Sequence, residues 1–154
     1  MRLLESEKID YESFSYEDDG EHALSHGAAE KTAEKLGIPP EACFKTIVMR
    51  DETKRIFVFC QSASKEINLK KARNATGSKE IAPVKSEELL SLTGYVRGGC
   101  SPLGMKKHFP TFIDESALLL SKMYVSAGVR GMQLALTPAD LVKVTKATVC
   151  DLAL

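Results

Sequence analysis

Apolar and polar residues alternate along much of this chain with the short period of β-strands. Two apolar runs, 44–49 and 56–60, flank a polar segment at 51–54 that is typical of a turn, so the pattern predicts an antiparallel hairpin. The other predicted strands are 9–16, 111–114, 122–126, 132–136 and 147–150, and 80–84 is either a short strand or an extended connection.

Helical segments separate these strands. The predicted helices are 1–8, one that runs from a cap at Ser25 to Leu36, one from a cap at Asn68 to Gly77, 87–92, and a segment that begins at 137; residues 115–120 also have helical potential. Ser25, Asn68 and Ser86 are suited to cap helix N-termini, because their side-chain oxygens accept hydrogen bonds from free backbone N–H groups. Thr137 followed by Pro138 is a further cap signal.

About six or seven short strands and four or five helices predict a mixed α/β fold. Hairpins favour a mostly antiparallel sheet, and we expect it to form a barrel-like core with helices around it. The 154 residues fit a single domain over 1–154, without a linker or an internal repeat.

Composition narrows the class of protein. Hydrophobic residues make up 44% and charged residues 27%, and no apolar run approaches the roughly 18 residues of a membrane span. The acidic start lacks the apolar core of a signal peptide, so a cytoplasmic location is expected. Four scattered cysteines without a C-x-x-C pattern, and three histidines without a third ligand near the one i, i+4 pair, predict no metal and no cofactor.

The net charge is zero, but the charges are unevenly distributed. Residues 1–34 carry ten acidic side chains, whereas 62–85 is basic and Lys106, Lys107 and His108 follow a glycine-rich loop. Such a distribution suits a phosphate-bearing partner. A solvated helix face explains the basic segment 62–85 equally well.

Two features are candidates for chemistry. The loop 98–104 reads Gly-Gly-Cys-Ser-Pro-Leu-Gly, and glycine and proline together favour a rigid turn whose exposed N–H groups can hold an anion or a polarised carbonyl. Lys45 interrupts an apolar strand, so its ammonium must reach water or a partner. A tight turn and a lysine at a strand end are the simpler explanations. No Walker A loop, dinucleotide-binding motif, nucleophile elbow or zinc-protease motif is present.

At these positions the sequence resembles the YbaK family of aminoacyl-tRNA deacylases. The shared motifs are Phe-Lys-Thr at 44–46, Gly-Tyr at 94–95, Gly-Gly-x-Ser-Pro-Leu-Gly-x-Lys-Lys at 98–107 and Tyr-Val-Ser-Ala-Gly-x-Arg-Gly at 124–131. They occur in the same order over nearly the whole chain. The resemblance implies removal in trans of a wrong amino acid from tRNA for proline. Leu103 and the Lys106-Lys107 pair favour the branch that clears cysteine over the branch that clears alanine.

The resemblance also implies functional residues. Lys45 would hold the aminoacylated 3′ end, Gly98 would line the site, and Ser126 would contribute a hydroxyl to catalysis. The implied substrate-binding positions are Tyr16, Thr46, Gly99, Ser101, Pro102 and Gly128. Cys100 departs from the aliphatic residue of relatives, and we expect it to pack inward rather than act as a nucleophile.

This assignment explains the missing catalytic machinery. A cysteinyl ester carries its own thiol, which can attack its own carbonyl and leave as a thiolactone. The protein then supplies shape, the Lys45 ammonium and oxyanion donors near Gly98, Gly99 and Ser126. The expected partners are the 3′ end of tRNA for proline, and of tRNA for cysteine as a second substrate, together with prolyl-tRNA synthetase.

Three alternatives remain open at this point. The first is an alanyl-tRNA(Pro) deacylase that uses an activated water. The second is a non-catalytic module that binds a tRNA end or a synthetase. The third is a redox or metal protein built on the four cysteines, which their spacing argues against.

Overall fold

Eight strands form two separate sheets in the computed structural model, which describes residues 2–17 and 28–154. The strands are β1 (Glu12–Ser15), β2 (Phe44–Asp51), β3 (Ile56–Ser62), β4 (Ile81–Pro83), β5 (Thr111–Asp114), β6 (Met123–Ser126), β7 (Met132–Leu136) and β8 (Thr148–Cys150). The first sheet has the order β1-β7-β6 and the second has the order β4-β2-β3-β5-β8. The β3–β5 and β5–β8 pairs are parallel, and the other pairs are antiparallel.

Five α-helices are present in the described part of the chain. They are α1 (Arg2–Ser6), α2 (Ala28–Leu36), α3 (Leu69–Thr76), α4 (Ser86–Thr93) and α5 (Pro138–Thr145). Short 3-10 helices occupy Pro40–Ala42 and Glu115–Leu119. None of the described helices has both the length and the apolar character needed to cross a membrane.

Two buried contacts join the sheets into one core. Cys43, just before β2, makes a parallel bridge to Tyr124 of β6, so the two sheets meet at this point. The largest buried cluster contains Phe44, Leu103 and Val125, which come from three distant parts of the sequence. The end of β2 is therefore fixed against β6, and both strands contribute to the cavity described below.

The predicted hairpin is confirmed by the antiparallel β2–β3 pair. Asp51 organises its turn: one carboxylate oxygen accepts hydrogen bonds from the backbone N–H groups of Thr53 and Arg55, each at 2.9 Å. The other oxygen accepts from Arg55 Nε at 2.9 Å and from Ser78 Oγ at 3.0 Å. Burial alone would raise the pKa of Asp51, but these hydrogen bonds outweigh it and hold the pKa well below its usual range.

Asp51→Asn should lower stability at pH 7, and the difference from wild type should shrink as the pH falls. A carboxylate whose folded pKa is depressed stabilises the fold above its unfolded pKa of about 4, and this contribution is lost as the pH drops towards the folded value. Urea midpoints at pH 7 and pH 3 measure this change. Asp10→Asn, which alters an exposed carboxylate, is the matched control. Equal midpoints for Asp51→Asn and wild type at pH 7 would contradict the assignment.

Helix caps agree with the sequence in two of the four predicted places. The Asn68 side chain accepts from the N–H groups of Lys70 and Lys71, and Thr137 accepts from Asp140 N–H. The Ser86 cap is wrong: Ser86 is the first residue of α4, and Lys85 precedes it without a side-chain cap. The remaining predicted cap, Ser25, lies outside the described residues.

The mixed α/β prediction is confirmed, but the barrel is not. Within the described chain the strands form two open sheets that touch at the Cys43–Tyr124 bridge and do not close on themselves. The apolar segment 115–120 forms a 3-10 helix at Glu115–Leu119, because Asp114 accepts from Ser116 N–H and caps it as a short turn.

Candidate active site

A cavity of about 450 Å³ opens where β2, the β6–β7 pair, α2 and the loop after α4 meet. Its size is within the range of small-molecule sites. Five of the nine site residues predicted from the sequence line it, and they come from four separate segments: Tyr16, Lys45, Thr46, Gly98 and Ser126. The other four, Gly99, Ser101, Pro102 and Gly128, do not line it.

Lys45 occupies the second position of β2, opposite Gln61 in the sheet register. Its side chain is 26% exposed, and Nζ donates a hydrogen bond to Glu66 Oε2 at 3.3 Å. The ammonium therefore leaves the apolar strand and reaches a carboxylate at the cavity wall, as a partly buried lysine requires. The cavity holds a fixed positive charge next to its apolar lining.

Gly98 lies in a tight turn in which Gly99 N–H donates to the Val96 carbonyl at 3.0 Å. Its φ of +88° is the left-handed conformation that the third residue of a type II turn adopts, and glycine takes it without strain. The Arg130 guanidinium donates two hydrogen bonds, from Nε at 2.9 Å and from Nη2 at 2.8 Å, to the Arg97 carbonyl.

This double contact fixes the peptide between Arg97 and Gly98. The carbonyl and the N–H of a trans peptide point to opposite sides of the chain. The Gly98 N–H therefore points away from Arg130, and among the described residues it has no backbone acceptor. An unpaired N–H on a clamped peptide at a cavity wall is suited to stabilise an oxyanion.

Gly99 and Gly128 hold the two loops of the site against each other. A Cβ on Gly99 would lie 3.2 Å from Arg130 N and 3.3 Å from Val129 Cα, both of which are backbone atoms. A Cβ on Gly128, whose φ is +104°, would lie 2.9 Å from the Tyr95 ring. Both glycines therefore allow neighbouring residues to pack closely against the backbone, Gly99 against Val129 and Arg130 and Gly128 against Tyr95. Neither glycine lines the cavity.

Ser101 and Pro102 belong to the loop 98–104, and both are buried. Ser101 Oγ accepts from Leu103 N–H at 3.2 Å, and the Tyr95 hydroxyl donates to the Leu103 carbonyl. These contacts give the loop a fixed shape. Ser101 and Pro102 therefore support the loop, and neither of them lines the cavity.

Ser126 and Gln133 face each other in the register of β6 and β7 and both line the cavity. Ser126 Oγ accepts from Gly128 N–H at 3.2 Å. Gln133 is 6% exposed, and its Oε1 has no hydrogen-bond partner within the described chain. A buried amide oxygen without a donor is unfavourable unless a ligand supplies one.

Cys43 and Cys100 also line the cavity, but neither is suited to be a nucleophile. Burial raises the pKa of each thiol to about 12, so almost none is thiolate near neutral pH. Cys100 packs beside Val48, Val58 and Leu89, which confirms that it points inward. No group of three or more metal-binding side chains occurs within residues 2–17 and 28–154.

A sequence profile described as "Aminoacyl-tRNA editing domain" matches residues 25–144, the segment that supplies Lys45, Gly98 and Ser126. The chain belongs to the aminoacyl-tRNA editing domain family. The "Putative Cys-tRNA(Pro)/Cys-tRNA(Cys) deacylase EbsC" of Enterococcus faecalis is 39% identical to this editing domain over 145 residues, covering 94% of this chain and 86% of that protein.

Two further comparisons place this editing domain among its relatives. A proline–tRNA ligase of Bacillus licheniformis is 28% identical over 93 residues, which is 60% of this chain and 16% of the ligase. The solved structure titled "Crystal structure of a putative trans-editing enzyme for prolyl tRNA synthetase" superposes with a TM-score of 0.82, covering 99% of this chain and 93% of its own, at 24% identity. That structure supports the fold.

Three residues of the editing domain site were missed in the sequence. Glu66 contacts Lys45 across 21 residues, which no local pattern shows. Arg130 belongs to the shared motif at 124–131, but its contact with the Arg97 carbonyl, 33 residues away, is not visible in that motif. Gln133 did carry a signal, because it is a polar residue in an otherwise apolar strand, the same anomaly that identified Lys45.

Proposed function

We propose that this editing domain removes cysteine in trans from mischarged Cys-tRNA(Pro), with Cys-tRNA(Cys) as a second substrate. One observation carries the proposal: Lys45, Gly98 and Ser126 line one cavity, and burial raises the pKa of the two cysteine thiols in its wall to about 12. The 39% identity to the Enterococcus faecalis protein supports cysteine as the amino acid.

The substrate's own thiol is the nucleophile. Its unperturbed pKa of about 8.5 leaves about 3% thiolate at pH 7, whereas a thiol of pKa about 12 has about one part in 10⁵. The thiolate attacks its ester carbonyl and forms a carbon–sulfur bond. The carbon–oxygen bond to the ribose then breaks, the thiol proton ends on the ribose oxygen, and the products are cysteine β-thiolactone and tRNA.

The protein's role in this reaction is orientation and charge stabilisation. The clamped Gly98 N–H and the Ser126 hydroxyl are donors for the oxyanion that develops on the carbonyl. Lys45 holds the ribose end of the ester by its ammonium, and the cavity folds the short side chain back towards the carbonyl.

Single-turnover deacylation of Cys-tRNA(Pro) beside Ala-tRNA(Pro), with identification of the released product, tests the proposal. We expect rapid loss of cysteine as the thiolactone and negligible loss of alanine. Preferential loss of alanine would assign the chain to water-activated chemistry instead. Loss of neither would leave a module that binds a tRNA end or prolyl-tRNA synthetase.

Gln133→Met should raise KM for Cys-tRNA(Pro) several-fold, because the Gln133 Oε1 is placed to accept a hydrogen bond from the substrate's α-ammonium. The same change should stabilise the fold by about 1 kcal/mol, since it removes a buried unpaired amide oxygen. Gln61→Met is the matched control: Gln61 is fully buried, neither of its amide atoms has a partner in the described chain, and it does not line the cavity. It should gain stability without a change in KM. Equal KM values for all three proteins would exclude this role for Gln133.

A further inference from the structure

One stretch of the chain beside the cavity carries basic residues and no acidic residue. Between Glu88 and Asp114 the chain contains Arg97, Lys106 and Lys107 but no aspartate or glutamate. None of these three side chains forms an ion pair within the described residues, although Lys45, Arg50 and Lys71 all do. Charges that stay unpaired on one loop are available to a ligand.

Arg97 brings one of these charges to the cavity, and Lys106 is held beside the same loop. Arg97 lines the cavity and precedes Gly98, and its carbonyl is held by the two hydrogen bonds from Arg130. Gly99 packs against the backbone of Val129 and Arg130, so the two loops form one rigid edge. Lys106 is fixed to the same edge because its N–H donates to the Thr93 carbonyl and its side-chain carbons lie over Gly94.

Exposed apolar side chains accompany the charges. Val96 is 47% exposed and Val129 is 57% exposed, and they belong to the two loops that the Arg130 contact joins. A cationic groove that follows the phosphate backbone is the electrostatic part of a single-stranded nucleic-acid site, and the two valines add apolar contact surface beside it. An acidic protein surface would use the charges but would not require them at the edge of a small cavity.

We infer that Arg97 and Lys106, here called the basic rim, bind the phosphodiester backbone of the single-stranded tRNA 3′ end, while Arg130 holds the Arg97 backbone in place. This inference rests on the proposed function for the identity of the RNA. With the aminoacyl ester in the cavity, the preceding phosphates of the strand must pass over its edge. The two acidic residues of the cavity lining, Glu30 and Glu66, belong to other segments, and Glu66 is paired with Lys45.

The basic rim binds phosphate without reading sequence. Phosphate contacts position a nucleic acid, whereas its sequence is read at the base edges. The rim offers only cations, so we expect it to bind RNA of any sequence. The strand's identity is therefore set by the cavity and by its free single-stranded end.

Fluorescence anisotropy with the 5′-labelled, uncharged RNA tetranucleotide ACCA tests this inference without deacylation. Arg97→Ala and Lys106→Ala should each weaken binding about three- to ten-fold at low salt. Each should also reduce the slope of log Kd against log salt by about 0.7, the value for one phosphate contact on a single strand. Thermal melting should be unchanged, since neither side chain donates a hydrogen bond within the described residues.

Lys143→Ala is the matched control, because Lys143 is an exposed cation on α5 that does not line the cavity. It should leave both the affinity and the salt slope at wild-type values. If Arg97→Ala and Lys106→Ala behave like Lys143→Ala, the inference is overturned. It is also overturned if they retain RNA binding but lose association with prolyl-tRNA synthetase, which would assign the rim to a protein.

The assay separates this inference from the proposed function. If no charged tRNA is deacylated, the catalytic proposal is wrong, but binding of ACCA that depends on Arg97 and Lys106 would still support the basic rim. If the enzyme deacylates Cys-tRNA(Pro) but its Arg97 and Lys106 variants bind ACCA as wild type does, only the inference about the basic rim is wrong.

Discussion

Lys45→Ala should lower the single-turnover rate on Cys-tRNA(Pro) by about 10²–10³-fold, the range for loss of one oriented donor at a reacting centre. The physical reason is that Lys45 Nζ supplies the fixed ammonium of the cavity wall, 3.3 Å from Glu66. Arg97 lines the cavity too, but its carbonyl is clamped to Arg130, so its position is set by a different loop. Single-turnover kinetics with enzyme in excess measure this loss.

The fold should survive this substitution. A partly exposed ion pair contributes about 0–1 kcal/mol to stability, so the melting temperature should change little. Lys65→Ala removes a nearby exposed lysine that does not line the cavity, and it should retain full activity. Retention of more than about a third of the wild-type rate by Lys45→Ala would refute the catalytic role, since one lost donor is expected to remove far more.

Blocking the thiol of the substrate should have a larger effect than any change in the enzyme. S-methylated Cys-tRNA(Pro) should react more than about 10³-fold slower than Cys-tRNA(Pro), because the intramolecular nucleophile is lost and intramolecular reactions have effective molarities of about 10⁵ M or more. Alkylated and free substrates are compared in the same single-turnover assay. Cys100→Ala is the enzyme-side control and should remain active, because burial holds the pKa of that thiol at about 12.

The same mechanism fixes the pH dependence of the reaction. Below pH about 8.5 the thiolate fraction of the substrate rises about tenfold per pH unit, so the rate should rise with pH and level off above that value. A rate that is independent of pH between 6 and 8, or equal rates for methylated and free cysteine, would contradict attack by the substrate thiolate.

Local patterns were sufficient for most of the secondary structure. The β2–β3 hairpin, the Asn68 and Thr137 caps and the strand Met132–Leu136 all follow from short-range propensity and polarity. Ser86 failed as a cap because the helix includes it as its first residue, and helix boundaries depend on packing as well as on residue type.

The closure of the sheet could not be predicted in this way. A strand pattern specifies which face is buried but not which strands become neighbours. The parallel pairing of β3 with β5 brings together segments about 50 residues apart, and the two sheets meet at the bridge between Cys43 and Tyr124. Because of these long-range strand pairings, the protein has two open sheets instead of the expected barrel.

The sequence by itself determined the mixed α/β class, the family and the anomalous lysine in an apolar strand. These depend on residue types and on their spacing along the chain. Only the tertiary structure decided which residues share the cavity, because Tyr16, Lys45, Gly98 and Ser126 lie on separate segments. It also revealed the Arg130 clamp on the Arg97 carbonyl and the unpaired Gln133 oxygen, since a hydrogen bond, or its absence, depends on distances between segments that a sequence does not contain.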